Sequence, residues 1–315
     1  MRTDPPAAPF LGAAIETDLS RLQADVAILG VPHGSPYPSP GLTVGCAAAP
    51  TAIRSASQRL AAFRGHWDFD LDAPLVPGEA LRLVDAGDVP GEPPDAERNT
   101  TAARAAVSAI LDAGAVPICL GGDDSVPIPI LRAYEDHGPL IVVQVDAHLD
   151  FRDEVDGIRD GYSSAMRRAS EMPHVARIIQ VGLRGVGSAR TSDVLDARAA
   201  GNALVTAAAL ARDGVGAVIE HIDPSASVFL SFDLDGLDPA AMPAVSGRSP
   251  GGLSARTAIE LVMALGPSLV GGVVTEYVPE RDVDGIGALL ACRIAVLMAA
   301  GVARHRKPPI QSTNN

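Results

Sequence analysis

The order of apolar and helix-like segments constrains the fold of this 315-residue chain more than any other feature. Seven apolar runs have the length of buried strands, at residues 24–30, 116–120, 140–145, 177–181, 203–206, 228–232 and 272–276. Segments with helical spacing of apolar residues lie between them, at residues 49–62, 95–113, 126–135, 207–214, 254–265 and 285–300. Such alternation is typical of an α/β protein with a parallel sheet.

The sequence shows neither an internal repeat nor a long polar linker, so we predict a single domain that spans residues 1–315. Stretches rich in proline and glycine are predicted to be loops, at residues 31–46, 72–94 and 236–252. We expect the two ends of the chain to be extended termini, at residues 1–22 and 306–315.

Two short clusters of acidic residues each follow an apolar run. Asp146, His148 and Asp150 come directly after the third run, and Asp233 and Asp235 come directly after the sixth. Extended backbone places residues i, i+2 and i+4 on one face, so the side chains within each cluster would point together. In parallel α/β sheets ligands bind at the carboxyl ends of the strands, which is where both clusters fall.

These clusters favour a metal site over a structural explanation. A single aspartate at a strand end is ordinarily a turn former or a helix cap. Four carboxylates crowded with one imidazole would repel each other strongly without a cation, and one metal ion needs fewer anionic ligands. The sequence therefore predicts a site for two divalent ions, and the mixture of oxygen and imidazole suits manganese, iron, nickel or zinc more than calcium.

A third acidic segment, Gly121-Gly-Asp-Asp-Ser125, also follows an apolar run. Its glycines permit a tight turn, and Asp123 or Ser125 could cap the helix that follows. A purely structural turn explains the glycines and one polar residue, but it does not require two adjacent aspartates. This segment therefore joins the two acidic clusters as a third candidate for chemistry at a strand end.

The composition narrows the classes of function. A net charge of −13 and only 3% aromatic residues argue against nucleic-acid binding. No apolar stretch is long enough to span a membrane, and the first residues do not resemble a signal peptide. The three cysteines are far apart and form neither a disulfide framework nor a zinc-type pair. We expect a soluble, cytoplasmic enzyme.

Several motifs together resemble the arginase/agmatinase family of ureohydrolases, in the family's order and over nearly the whole chain. They are GGDDS at residues 121–125, DAHLD at 146–150, SFDLDGLDP at 231–239 and TEYVP at 275–279, with supporting matches at residues 26–32 and 84–89. The resemblance implies a three-layer α/β/α domain with a mostly parallel, eight-stranded sheet. It also implies a homo-oligomer, either a trimer or a hexamer.

The resemblance further implies two manganese ions bridged by a hydroxide, which attacks a guanidino carbon and releases urea and an amine. Nickel, iron and zinc are the alternative metals. By position in the motifs, Asp146 and Asp233 would bridge both ions, and Asp150 would complete the shell of one. His148 and Asp235 would serve the other ion.

Substrate-binding and catalytic roles also follow from the resemblance. Glu276 matches the family's glutamate that pairs with the substrate guanidinium, a contact for which a carboxylate is well suited. Asp150 and Asp160 join Glu276 as catalytic candidates. His33, in a loop expected to face the mouth of the active site, is a candidate for substrate binding.

The sequence departs from the family pattern at three places. Asp124 replaces a metal-binding histidine, so the ion on that side would bind more weakly, take an extra water or be lost. Asp160 stands where a second histidine helps to bind substrate or move protons. It either pairs with a cationic group of the substrate or caps the turn at Gly161. Arg248, in an altered loop near the pocket mouth, either binds a substrate carboxylate or is a solvated surface residue.

The leading hypothesis is a dinuclear-metal hydrolase of a guanidino compound, similar to an agmatinase or a guanidino-acid hydrolase. One alternative is a formimino or amide hydrolase of the same fold. Another is a catalytically silent partner subunit of a hetero-oligomer, with Asp124 and Asp160 as marks of lost chemistry.

Overall fold

The structure is a computed structural model that describes residues 1–34, 37, 44–76, 81–93 and 95–305. In this part of the chain the strands are β1 (Ala14–Ile15), β2 (Val26–Val31), β3 (Trp67–Asp68), β4 (Ala73–Pro74), β5 (Leu83–Asp88), β6 (Val116–Gly121), β7 (Leu140–Val145), β8 (Val175–Leu183), β9 (Ala203–Thr206), β10 (Ser227–Asp233) and β11 (Leu269–Thr275). The helices are α1 (Ala49–Ala61), α2 (Ala96–Asp112), α3 (Pro127–Arg132), α4 (Ala165–Ser170), α5 (Thr191–Ala199), α6 (Ala207–Asp213), α7 (Gly216–Ile219), α8 (Ala255–Leu265) and α9 (Ile286–His305).

One parallel sheet organises the molecule, with the strand order β1-β5-β2-β6-β11-β10-β7-β8-β9. The predicted arginase-like α/β sheet is confirmed, and the two-residue strand β1 adds a ninth member at one edge. Strands β3 and β4 form a separate antiparallel pair. Parallel neighbours need crossover connections, and helices supply them between most of the strands.

Helices cover both faces of the sheet, which gives the predicted three layers. In β2, Val26 and Ile28 pack in one core with buried residues of α1, α6, α7, α8 and α9. The alternate residues Ala27 and Leu29 pack in the other core with residues of α2, α3, α4 and α5. A strand buried on both faces reads as a continuous apolar run, and for this reason most of the strands could be recognised in the sequence.

Strand β5 corrects the sequence analysis, which assigned residues 72–94 to a loop. Its residues Leu83–Asp88 include two aspartates, and Asp85 is fully buried. Arg54 of α1 makes this burial possible, because its Nε and Nη2 atoms donate to the Asp85 carboxylate at 2.8 and 3.0 Å. A third contact, from Nη1 to Asp88 at 2.5 Å, completes the ion-pair network. A buried charge is tolerated when it is paired and hydrogen-bonded in this way.

The N-terminal segment packs on the domain. Phe10 and Leu11 are buried, and the backbone N–H of Phe10 donates to Asp85 Oδ2 at 2.7 Å. Strand β1 in turn pairs with β5, so this part of the N-terminal segment lies along the edge of the sheet. The predicted C-terminal extension at residues 306–315 lies outside the described residues. Among the helices described, none is both long and apolar enough to cross a membrane.

Candidate metal centre and active site

Four of the predicted site residues lie at the carboxyl ends of four neighbouring strands, β6, β11, β10 and β7. Asp124 follows β6, Glu276 follows β11, Asp233 is the last residue of β10, and Asp146 follows β7. The strands are parallel, so their ends meet at one edge of the sheet, where such folds bind ligands. The sequence motifs are far apart in the chain and adjacent in the fold.

Five of these side chains form two groups that could each hold a metal ion. Asp146, His148 and Asp235 make one group, and Asp124, Asp146 and Asp233 make the other. Within each group the candidate ligand atoms all lie within 4.8 Å of one another. Because Asp146 belongs to both groups, two cation positions would lie next to each other with a shared carboxylate.

The carboxylates of this cluster are buried and close together, so their ionised forms are energetically unfavourable without a cation. Burial raises the pKa values of Asp124, Asp146 and Asp233 well above the ordinary value, and neighbouring carboxylates add to each shift. The same two causes raise the pKa of Asp150, although hydrogen bonds and His148 oppose the change. A cation bound among these groups would remove the repulsion.

The contacts of Asp124 show that a cation fits. Its Oδ1 accepts a hydrogen bond from Thr275 Oγ1 at 2.8 Å. Its Oδ2 is buried and has no hydrogen-bond partner among the described residues. A buried, unpartnered carboxylate oxygen beside Asp146 and Asp233 is the arrangement expected of a metal ligand. The position that departs from the family histidine thus still presents a donor atom.

His148 lies against the second group. Its Nδ1 atom is 3.0 Å from Asp235 Oδ2 and 3.2 Å from Asp146 Oδ1. The hydrogen bond to Asp235 is the main reason that the pKa of His148 rises to about 9, with burial opposing the shift. The imidazole must give up this proton before its nitrogen can bind a metal ion.

Asp150 belongs to neither group of three, but hydrogen bonds through a shared amide connect it to Asp146, which belongs to both. Its Oδ2 accepts from the side-chain amide of Gln144 at 3.0 Å, and the same amide donates to Asp146 Oδ2 at 2.7 Å. The backbone of Asp150 has a φ of 45°, a left-handed conformation that few residues other than glycine adopt. Strained backbone of this kind is found at functional sites, where the surrounding contacts hold it.

Glu276 is also buried, at 6% exposure, and also has a left-handed backbone, with a φ of 64°. Its Oε1 accepts the backbone N–H of Asp124 at 3.0 Å, and the thiol of Cys46 lies 3.8 Å from Oε2. Burial raises the pKa of Glu276 to about 8, and Asp123 and Asp235 add to the effect. A buried carboxylate of this kind is suited to pair with a cationic substrate.

A cavity of about 360 Å³ opens beside these groups, and its size is appropriate for a small molecule. Six predicted residues line it, namely Asp124, His148, Asp150, Asp233, Asp235 and Glu276. Tyr37, Arg152, Asp156 and Tyr162 also line it, and the rings of Tyr37 and Tyr162 meet edge to face at 4.4 Å.

Asp160, a predicted catalytic and substrate-binding residue, does not line this cavity. Its carboxylate instead makes a bidentate ion pair with Arg132 at the end of α3, at 2.6 and 3.1 Å. A contact with substrate would require this ion pair to open. The neighbours Tyr162 and Ser163 line the cavity, so this segment reaches the cavity while the Asp160 carboxylate pairs with Arg132.

Two further candidates for substrate binding also lie outside the cavity lining. Arg248 is exposed, and its Nε donates to the Pro243 carbonyl at 2.7 Å, although Ser246 and Gly247 of the same loop line the cavity. His33 is half-buried near Asp123, and burial lowers its pKa. The structure therefore gives neither residue a direct contact with the cavity.

The sequence analysis missed several residues of the site, including Gln144, Arg152, Tyr37 and Tyr162. A signal existed for Gln144, which is the single polar residue in the run 140–145. A polar side chain in a strand buried on both faces must find a hydrogen-bond partner, and here the partners are site carboxylates. The tyrosines and Arg152 belong to segments without regular periodicity, so nothing in the sequence predicted where they point.

Comparison with known proteins agrees with this arrangement. The sequence profile of the arginase family matches residues 24–300. Proclavaminate amidinohydrolase of Streptomyces clavuligerus is 34% identical, with 90% of each chain covered, and an agmatinase of Sodalis glossinidius is 31% identical, with 92% of this chain and 91% of the relative covered. The solved structure of the Streptomyces clavuligerus enzyme superposes with a TM-score of 0.83 at 29% identity, over 95% of this chain and 97% of that one.

The chain belongs to the arginase family of ureohydrolases. It is a hydrolase of the class that acts on guanidino or amidino compounds. The acidic and histidine groups described above are its candidate metal-binding groups.

Proposed function

We propose that this protein is a dinuclear-metal hydrolase that cleaves a guanidino compound to urea and an amine. The observation that carries the proposal is the pair of ligand groups that share Asp146 at the edge of the sheet. When bound, two divalent ions lower the pKa of water and supply a nucleophile at neutral pH. Manganese is the metal expected from the family resemblance, and nickel, iron and zinc are the alternatives, since all four suit donors that combine carboxylate oxygen with one imidazole.

Five aspartates and one histidine would hold the ions. Asp146 belongs to both ligand groups and would contact both ions, and by the family resemblance Asp233 would do so too. Asp124 and Asp150 would complete the site of one ion. For the other ion, the remaining ligands are His148 and Asp235, whose contact at 3.0 Å already brings the donor atoms together.

Glu276 would bind the guanidinium of the substrate. Its carboxylate is buried and lines the cavity that contains the metal ligands. A guanidinium paired with this carboxylate would bring its carbon to the metal centre and would keep Glu276 ionised. The net acidity of the chain would also favour the approach of a cationic substrate.

Asp150 would transfer the proton that the reaction requires. Attack by water on the guanidino carbon leaves a proton to be removed, and the departing amine needs one. The Asp150 carboxyl lines the cavity beside the other candidate ligands, so it is placed to accept the proton in the first step and to return it in the second.

A release assay tests the proposal. Metal-replete protein is incubated with a panel of guanidino amines and guanidino acids, and urea is quantified beside formamide, acetate and the free amine. Urea formed in equal amount with the amine is the expected result. Formamide or acetate without urea would instead identify a formimino or amide hydrolase, and no product from any compound would favour a catalytically silent subunit.

The oligomeric state is a separate proposal. From the family resemblance we expect a homo-oligomer, either a trimer or a hexamer. Light scattering on the purified protein measures this directly, and a monomer at micromolar concentration would contradict it.

A further inference from the structure

A row of buried polar side chains lies across the sheet just below the metal ligands. In the register of the strands, Gln144 of β7 pairs with Ser231 of β10 on one side and with Gln180 of β8 on the other. All three residues are fully buried. Gln144 is two residues before Asp146, and Ser231 is two residues before Asp233, so each shares a face with the ligand above it.

Gln144 contacts the metal-binding carboxylates directly. Its amide Nε2 donates to Asp146 Oδ2 at 2.7 Å and to Asp150 Oδ2 at 3.0 Å. A side-chain amide has two N–H hydrogens, and both are used here. One neutral group therefore bridges two buried carboxylates that would otherwise repel each other.

Gln180 fixes the orientation of that amide. Its Nε2 donates to Gln144 Oε1 at 2.7 Å and to the backbone carbonyl of Leu149 at 2.6 Å. Its own Oε1 accepts from Asn202 Nδ2 at 3.0 Å. If Gln144 were turned over, its carbonyl would face the carboxylates and its N–H groups would face those of Gln180, so the network permits one orientation.

The network also holds the backbone that carries Asp150. The Leu149 carbonyl bound by Gln180 is part of the peptide group that precedes Asp150, whose φ of 45° is strained. The side chain and the backbone of this ligand are thus fixed by the same two glutamines. Because an amide carries no net charge, it orients the carboxylates without competing with a cation for their charge.

We propose that Gln144 is a positioning residue of the metal centre, which holds one oxygen of Asp146 and one of Asp150 so that their other oxygens face the metal ions. Gln180 acts through Gln144 by fixing the direction of its amide. This inference rests on the proposed metal centre and goes beyond it, because neither glutamine contacts the cavity in which substrate would bind.

The test compares manganese binding by metal-free wild-type protein, Gln144→Met and Gln144→Glu in calorimetric titrations. Methionine keeps the length of the side chain and removes both N–H donors, and glutamate keeps the shape and replaces the donors with oxygens. We expect either variant to bind manganese about 10- to 100-fold more weakly, the range found when groups that orient metal ligands are replaced. Saturating manganese should restore much of the urea release of Gln144→Met.

Ser231→Ala is the matched control. Ser231 lies in the same row and is equally buried, but its hydroxyl has no hydrogen-bond partner among the described residues. Its removal should leave manganese affinity within twofold of wild type. The melting temperature of each metal-free variant is measured in parallel, because a purely structural role would lower this temperature without changing the affinity for manganese.

The inference would be overturned if Gln144→Met folds and its affinity for manganese is within twofold of that of wild type. If that variant does not fold, the same result for Gln144→Glu would overturn it. If wild-type protein binds two manganese ions and both variants bind manganese equally well, the result refutes only the role of Gln144. Wild-type protein that binds no manganese refutes the proposed function as well.

Discussion

Replacing Glu276 by glutamine should make the metal-free protein more stable while it removes activity. The carboxyl group is buried and its pKa is about 8 instead of the ordinary 4.5. The folded state therefore keeps a proton that the unfolded chain releases, and wild type loses stability as the pH rises from 4.5 to 8. Glutamine is neutral at every pH, so Glu276→Gln avoids this loss. From the two pKa values the gain is roughly 1 kcal/mol at pH 5 and roughly 4 kcal/mol at pH 8.

Urea-induced unfolding of metal-free wild type and Glu276→Gln between pH 5 and pH 8 measures this gain. Glutamine still offers an oxygen to the Asp124 N–H, so the local fold is expected to persist. Glu280→Gln is the matched control, because Glu280 is exposed on the same loop and its substitution should give no gain that grows with pH. With metal and substrate present, Glu276→Gln should lose about 10- to 100-fold in kcat/KM, because the guanidinium loses a charged partner.

Two results would refute this reasoning. One is a Glu276→Gln protein that is no more stable than wild type at pH 8. The other is a gain of equal size in Glu280→Gln. Urea release at the wild-type rate would leave the burial argument intact but would remove Glu276 from the proposed substrate site.

Three further predictions follow from the geometry of the site. Asp124→Ala should bind one manganese ion per chain instead of two, and Asp124→His should restore the second, as counted by elemental analysis; two ions bound to Asp124→Ala would contradict the assignment. Asp160→Asn should change kcat/KM less than threefold, because this carboxylate pairs with Arg132 outside the cavity, and a loss above 100-fold would show that the ion pair opens in catalysis. Manganese affinity should rise as the pH increases from 5 to 9, because the buried aspartates and His148, whose pKa is about 9, must release protons first. Calorimetry at pH 7 in two buffers with different ionisation enthalpies should show this proton release, and binding independent of pH would contradict it.

The sequence predicted the central part of the fold and of the site because two signals in the sequence coincide there. Buried parallel strands read as short apolar runs, and chemistry at their carboxyl ends shows as acidic residues directly after each run. The positions of Asp146 and Asp233 followed from this pattern without any knowledge of pairing. Strand order was not derivable in the same way, since it depends on contacts between segments far apart in the chain.

The sequence analysis was incomplete where tertiary contacts determine whether a residue is buried and which partner it has. Strand β5 was assigned to a loop because it lies in a stretch rich in proline and glycine, and the buried pairing with Arg54 is what makes Asp85 an interior residue. Asp160 was placed at the site by counting along the chain, and its ion pair with Arg132 of the predicted helix is a contact that the spacing does not reveal. Directions of side chains in loops are set by such partners and not by local sequence.

The number of manganese ions needed for urea release tests the central claim most directly. Metal-free protein is titrated with manganese at pH 8, and bound metal per chain and urea release from a guanidino substrate are measured in the same samples. We predict that two ions bind per chain and that activity appears with the second. Full activity with one ion per chain would contradict the dinuclear centre, and a protein that releases urea with no bound metal would contradict the account as a whole.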